Sequence, residues 1–349
     1  MQILVDAMGG DHAPKTVIAG LELLNNECTS ELVLLGDEGA LNPLIQKKLK
    51  KLPPFKIVHC PENIEMGGSP VQAVRTKKNS SIVRGLELIK RNSEAAFFSA
   101  GHSGAVFAAA LMTLGRIDGV ERPAIAAILP SIKGRFILLD AGANVDCRPQ
   151  HLVDFALMGS TYAKFYSNTE TPIVGILSNG EEESKGTDLT REAHEVLKAT
   201  NDIQYRGYVE GKDIFNGRVD VVVTDGFTGN VVLKSLEGLG ETVSKLLKSE
   251  IKKSIFAPLG ALLLIPVINK LRKKMDYAEV GAAPLLGVDG NCFIGHGRSN
   301  PQAIKNGILR AQEAIQRKLH QTLVQEFKQR ENKRSEHIQT EHLCEGNKS

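Results

Sequence analysis

Ser178-Asn179-Gly180-Glu181-Glu182-Glu183-Ser184-Lys185-Gly186 follows an apolar run at residues 172–177 and precedes apolar residues at helical spacing from Asp188 onward. The run reads as a buried strand and the segment after it as a helix, so the quoted stretch is the loop at the carboxyl end of a strand. In an open α/β sheet that edge is where ligands bind. Three adjacent carboxylates and one lysine between glycines suit a binding loop. They equally suit a solvated acidic turn with Asp188 as the helix N-cap.

The same alternation runs outward in both directions. Toward the N-terminus, strands are expected at 3–5, 32–35, 56–58, 95–98, 124–129 and 136–139, with helical patterns at 17–24, 40–52, 71–78, 82–90, 104–114 and 152–165. Pro130-Ser131-Ile132-Lys133-Gly134 reads as the turn of a hairpin. Toward the C-terminus come strands at 205–209 and 219–224, a long amphipathic helix at 231–247, an extended glycine-punctuated segment at 285–293 and a helix at 301–328. Strands alternating with helices predict an α/β fold with a mostly parallel sheet covered on both faces. No clear linker divides the chain, whose length suits one large domain or two smaller ones; the alternation is interrupted at 250–275, and a polar disordered tail is expected at 330–349.

Composition excludes several function classes. Of 349 residues, 42% are hydrophobic and 24% charged, the balance of a globular protein with a sizeable core. A net charge of +3 and an aromatic content of 5% without tryptophan give little with which to hold nucleic acid. The five cysteines, Cys28, Cys60, Cys147, Cys292 and Cys344, show no CxxC spacing, which fits free thiols in a reducing compartment and argues against a zinc site. The first residues run straight into Ile3-Leu4-Val5-Asp6 with no leader pattern, so the expected location is cytoplasmic. GxGxxG after a strand, GxxxxGK[ST] and GxSxG are all missing, which disfavours dinucleotide, nucleoside triphosphate and serine-hydrolase chemistry. No metal and no cofactor is expected.

What remains is a set of glycine-rich strand ends. Besides Ser178–Gly186, they are Asp6-Ala7-Met8-Gly9-Gly10-Asp11-His12, Ser99-Ala100-Gly101-His102-Ser103-Gly104-Ala105, Asp140-Ala141-Gly142-Ala143-Asn144 and Thr224-Asp225-Gly226-Phe227-Thr228-Gly229-Asn230. Glycine lets backbone amides approach a ligand closely. Helices starting near Gly104 and Gly229 would add free N–H groups and a positive dipole end. The ligand such ends suit is phosphate or another compact anion. Lys185, set among carboxylates, would stay ionised and meet that anion. Asn230 can donate to a developing oxyanion, and is otherwise an ordinary N-cap asparagine. His12 and His102 read as capping or hydrogen-bonding groups. Cys147, close to Asp146 and Arg148, reads either as an activated thiol or, the more common case, as a lone small buried cysteine.

Taken in order, Val5-Asp6-Ala7-Met8-Gly9-Gly10-Asp11-His12-Ala13-Pro14, Leu139-Asp140-Ala141-Gly142-Ala143-Asn144-Val145-Asp146-Cys147-Arg148-Pro149, the acidic loop, Glu210-Gly211-Lys212-Asp213-Ile214-Phe215, the Thr224 segment and Pro284-Leu285-Leu286-Gly287-Val288-Asp289-Gly290 closely resemble the bacterial phosphate acyltransferase family, the acyl-ACP:phosphate acyltransferases of phospholipid synthesis. The resemblance implies that residues 1–329 form a single domain, a Rossmann-like α/β/α sandwich, as a homodimer, and it implies transfer of a fatty acyl group from acyl carrier protein to inorganic phosphate. It implies that the acyl phosphate feeds a membrane glycerol-3-phosphate acyltransferase. It assigns the catalytic roles to Lys185 and Asn230. Around them we expect phosphate or substrate contacts from Asp6, Gly9, Gly10, Ser99, Gly101, His102, Ser103, Gly104, Asn144, Glu182 and Asp225. The chain departs from the family pattern at His102-Ser103 and at Ser178-Asn179, keeping hydrogen-bonding capacity at both. The alternatives are a phosphotransacetylase-like enzyme using acyl-CoA and a non-catalytic scaffold of lipid synthesis.

The interruption at 250–275 carries Phe256, Leu259, Leu262, Leu263, Leu264 and Ile265, flanked by Lys252, Lys253, Lys270, Arg272, Lys273 and Lys274. It is too short and too proline-broken to span a bilayer. It reads as a buried or dimer-packing segment, or as a protruding apolar helical hairpin that seats on an anionic membrane surface. The family resemblance favours the second, a peripheral attachment to the inner face of the cell membrane.

Overall fold

The computed structural model describes residues 1–48, 51–65, 67–253, 264, 266–267, 270 and 277–346. Two sheets carry the fold. The first runs β3(Phe55–His59)-β2(Glu31–Gly36)-β1(Gln2–Asp6)-β4(Ala95–Ser99)-β12(Asn291–Ile294)-β11(Ala283–Leu286)-β5(Ala124–Ile125). The second runs β6(Ala127–Ser131)-β7(Gly134–Leu139)-β10(Val221–Val223)-β8(Ile173–Ser178)-β9(Gln204–Glu210). Pairing is parallel from β3 to β12 and from β7 to β9; β11, β5 and β6 are antiparallel additions. The mostly parallel α/β arrangement is thus present, but divided between two sheets.

The division falls at Ala126. The sequence reads 124–129 as one strand. In the structure Ile125 pairs with Leu285 of the first sheet and Ala127 with Leu138 of the second. Both halves are extended and buried, so an apolar run carries no mark of the change. Likewise the segment at 285–293 is two antiparallel strands, with Gly287 (φ 89°) at the turn between them.

Strand alternation sorts side chains onto two helical layers. In β1, Ile3 and Val5 join the core that includes α1(Lys15–Glu22) and α9(Pro301–Gln316); Leu4 faces the core of α4(Ser81–Lys90) and α5(Ser103–Thr113). In β7, Ile137 and Leu139 join the first core while Phe136 and Leu138 face a third cluster with Leu233 and Leu236. Between the sheets runs α6(Pro149–Ser167), buried on nearly every side, as its apolar and small composition allows. It shares one hydrophobic core with both sheets.

Two helices differ from expectation. The helix read over 301–328 is broken at Arg317–Lys318, where Lys318 takes φ 55°. The second piece, α10(Leu319–Gly346), continues through residues that composition alone reads as a loose tail. The helix read over 231–247 is α8(Gly226–Lys253), and its outer half exposes Leu239, Val243, Leu246 and Leu247. Beyond it, Phe256, Leu259, Leu262, Leu263 and Ile265 lie outside the described residues, whereas Leu264 is 53% exposed. No helix among the described residues is long and apolar enough to cross a membrane.

Candidate active site

The chain leaves β1 for β2 and β3 on one side, then returns to β4 on the other, so the β1–β4 boundary is a topological switch point. Asp6 ends β1 and Ser99 ends β4. The Ser99 hydroxyl donates to the Asp6 carboxylate at 2.6 Å and accepts from the Gly101 amide at 3.0 Å. Met8 N–H donates to the other Asp6 oxygen at 3.0 Å. Burial pushes the Asp6 carboxyl up, against the opposing pull of Ser99, Ser81 and the Met8 and Gly9 amides. A Cβ on Gly9 would lie 2.7 Å from the Gly101 nitrogen, so the two loops touch backbone to backbone. The N-terminus of α5 opens at this edge, with His102 at its cap position making no side-chain cap bond and Ser103 and Gly104 in its first turn.

The second glycine-rich edge forms at the ends of β7 and β10. The Asp140 carboxylate accepts from the amides of Ile125, Gly142, Ala143 and Asn144 and from the Asn144 side chain. Asn144 also donates to the Pro123 carbonyl at 2.7 Å, and its own carbonyl accepts from Gly226 N–H at 2.7 Å. Asp225 caps α8, accepting from the Thr228 amide at 2.8 Å and hydroxyl at 2.7 Å. Asn230 follows in the first turns of α8, exposed and against Gly142.

Helix α8 joins the two edges. Asn230, Lys234, Glu237 and Glu241 share one side of it by their three- and four-residue spacing. The Lys234 ammonium lies 3.4 Å from His296 Nε2 and 2.9 Å from Glu237, and Arg298 lies 3.5 Å from Glu241. His296 sits just past β12, where Gly295 N–H donates to the Ser99 carbonyl at 2.8 Å and Asp11 N–H to the Gly297 carbonyl at 2.9 Å. The Asn230 side of α8 therefore reaches, through Lys234, the segment after β12 that is hydrogen-bonded to the β1–β4 edge. Sequence reading missed Lys234, His296, Arg298 and the bonding of Asp140; Gly295-His296-Gly297 was the one visible signal, a glycine-flanked histidine at another strand end.

The loop after β8 is exposed. Lys185 N–H donates to the Glu182 carbonyl at 2.9 Å, and its stem crosses Gly180, whose Cβ would lie 2.6 Å from Lys185 Cγ. The acidic residues are not gathered on Lys185. Glu183 pairs with Lys198 of α7(Asp188–Lys198) at 2.7 Å and Glu181 approaches Arg218 at 3.8 Å. Among the described residues no carboxylate lies within 4 Å of the Lys185 ammonium. The N-cap of α7 is Thr187, boxed with Thr190, rather than Asp188.

Of the expected contacts, the side chains of Asp6, Ser99, Asn144 and Asp225 are committed to holding loops. Gly9, Gly10, Gly101, His102, Ser103 and Gly104 form the edge itself, and Glu182 lends a carbonyl to the Lys185 turn. The Cys147 thiol is pushed up to about 11 by burial and then by the nearby Asp140, the opposite of an activated thiolate.

This mostly parallel α/β fold, with its glycine-rich strand ends, is of phosphotransacylase architecture. Solved phosphotransacetylases from Streptococcus pyogenes (TM-score 0.61, 19% identity, 90% of this chain and 94% of that one) and Staphylococcus aureus (TM-score 0.58, 17%, 90% and 94%) share it. Sequence comparison is narrower. The family described as a fatty acid synthesis protein matches residues 1–322. The chain is 49% identical over 322 residues to the phosphate acyltransferase of Syntrophotalea carbinolica (92% of each chain), and 48% identical over 329 residues to that of Geotalea uraniireducens (94% and 95%). The chain belongs to the phosphate acyltransferase family and is an acyltransferase.

Proposed function

We propose that the protein moves a fatty acyl group from the thioester of acyl carrier protein to inorganic phosphate, releasing acyl phosphate and the carrier thiol for phosphatidic acid synthesis. A phosphate oxygen is already nucleophilic at neutral pH, so no covalent enzyme intermediate is needed. The oxygen attacks the thioester carbonyl, the carbonyl becomes an oxyanion, and its collapse expels the carrier sulfur, which takes up a proton. The protein's tasks are to hold phosphate against the carbonyl and to stabilise that oxyanion.

In this reading the backbone of Gly9, Gly10, Gly101 and Gly104, with His102 and Ser103 at the α5 N-terminus, cradles phosphate. Lys185 neutralises its charge, and the Asn230 amide donates to the oxyanion. The observation that carries the reading is the Lys234–His296 contact at 3.4 Å, which ties the Asn230 side of α8 to the phosphate-cradling edge. The product's acceptor is a membrane glycerol-3-phosphate acyltransferase. Release at an anionic membrane surface, by a homodimer peripherally attached to its cytoplasmic face, fits the exposed Leu264 and the basic residues around it.

The test is incubation of the purified protein with long-chain acyl carrier protein and phosphate, with acyl phosphate as the readout. Acyl-CoA is run in parallel. Phosphate-dependent turnover of acyl-CoA alone would transfer the donor assignment to it, and turnover of neither would sink the enzyme mechanism.

A further inference from the structure

We infer that Asp140 is the positioning residue for Asn230, a role that rests on Asn230 contacting the reacting carbonyl. Asp140 is fully buried at the end of β7 and its carboxylate takes five N–H donors. Four of them come from 142–144, so one carboxylate folds the whole Gly142–Asn144 turn around itself. A buried carboxylate held by this many donors is satisfied without meeting a ligand.

The same group seats the start of α8. A Cβ on Gly226 would lie 2.6 Å from the Asp140 carboxylate and 2.6 Å from the Asn144 carbonyl. A Cβ on Gly229 would collide with the Asp140 carbonyl oxygen. The first turn of α8 therefore lies directly on Asp140 and on the turn it organises. The negative charge sits beneath the helix N-terminus, where the dipole favours it. Asn230 comes next in the helix, with its Cβ and Cγ 3.3 Å and 3.4 Å from the Cβ position of Gly142. Both sides of Asn230's seat, the helix start and the Gly142 backbone, are thus set by Asp140. Replacing the carboxylate by an amide would turn an NH2 group toward backbone donors and force the turn apart.

The test is a double-mutant cycle of Asp140→Asn and Asn230→Ala, with Asn144→Ala, which removes one of the five donors to Asp140 together with the bond to the Pro123 carbonyl, replacing Asp140→Asn if that variant does not fold. Asn230→Ala should lower kcat about 100-fold, as loss of one oxyanion donor does. Asp140→Asn should lower kcat with the phosphate KM shifted less than about threefold, and the double variant should be no slower than Asn230→Ala within about threefold. A role in fold stability alone predicts instead that the two losses multiply, and a double variant about 10-fold or more slower than Asn230→Ala overturns the inference. If Asn230→Ala keeps full kcat, the assignment of Asn230 fails in the single variant and the positioning role falls with it.

Discussion

Asn230 rests on Gly142, close enough that any side chain at Gly142 would push on it. Gly142 also has φ 133°, a backbone region that residues with a Cβ rarely occupy. Gly142→Ala combines strain of about 1–3 kcal/mol with displacement of Asn230. We expect a lower urea midpoint and a fall in kcat larger than the change in phosphate KM. A variant with normal kcat would show that Asn230 does not depend on this contact.

Gly229 and Gly238 lie on the same helix and should respond in opposite directions. Alanine at Gly229 meets the Asp140 carbonyl oxygen, a backbone atom that cannot swing away, and should destabilise by about 3 kcal/mol or more. Alanine at Gly238 meets nothing within 4 Å and should stabilise by about 0.5–1 kcal/mol through helix propensity. Urea melts of the two variants check both signs.

Cys147 should be a poor nucleophile. With its pKa raised from 9.0 to about 11, its thiolate fraction near pH 8 is about 100-fold below that of an unperturbed thiol. Alkylation should be slow near neutrality and keep rising toward pH 11. Cys147→Ser should retain acyl phosphate formation. Trapping a labelled acyl group on Cys147 would overturn the direct-attack mechanism in favour of a two-step one.

The order of strands and helices was readable because most strands are short apolar runs closed within a few residues by glycine and most helices keep their spacing. The glycine edges at Gly9, Gly101, Gly142 and Gly229 were readable for the same reason. What was hidden depends on distant partners. Ala126 separates two sheets inside one unbroken apolar run, and only Leu285 and Leu138, on different strands, reveal it. The reading of the acidic loop placed its carboxylates on the nearest lysine in sequence, Lys185, whereas Glu183 reaches Lys198 from the following helix. Lys234 looks like any solvated helix residue until His296, 62 positions later, is brought beside it.

Arg330 is the clearest case of such a hidden partner, since the polar composition after residue 329 reads as tail. Its guanidinium lies 3.0 Å from the Asp154 carboxylate, with the two side chains only 13% and 2% exposed. Gln150 donates to the same carboxylate at 2.7 Å. Removing one partner of a buried pair leaves the other charge uncompensated, so Arg330→Ala should cost about 3–5 kcal/mol at neutral pH. The pH dependence follows from Asp154, whose pKa is raised above 3.8 by burial while Gln150 and Arg330 hold it down. Without Arg330 the folded-state pKa climbs further above the unfolded value. The folded variant then keeps a proton that the unfolded chain has lost. Its stability therefore falls as pH rises through that interval, and its deficit against wild type narrows as pH is lowered below the folded pKa. Urea midpoints of both proteins at mildly acidic and neutral pH measure the gap. A gap that does not change with pH would show that Arg330 does not act through the Asp154 charge, and a chain ending at residue 329 as stable as the full one would show that Arg330 adds nothing to the folded body.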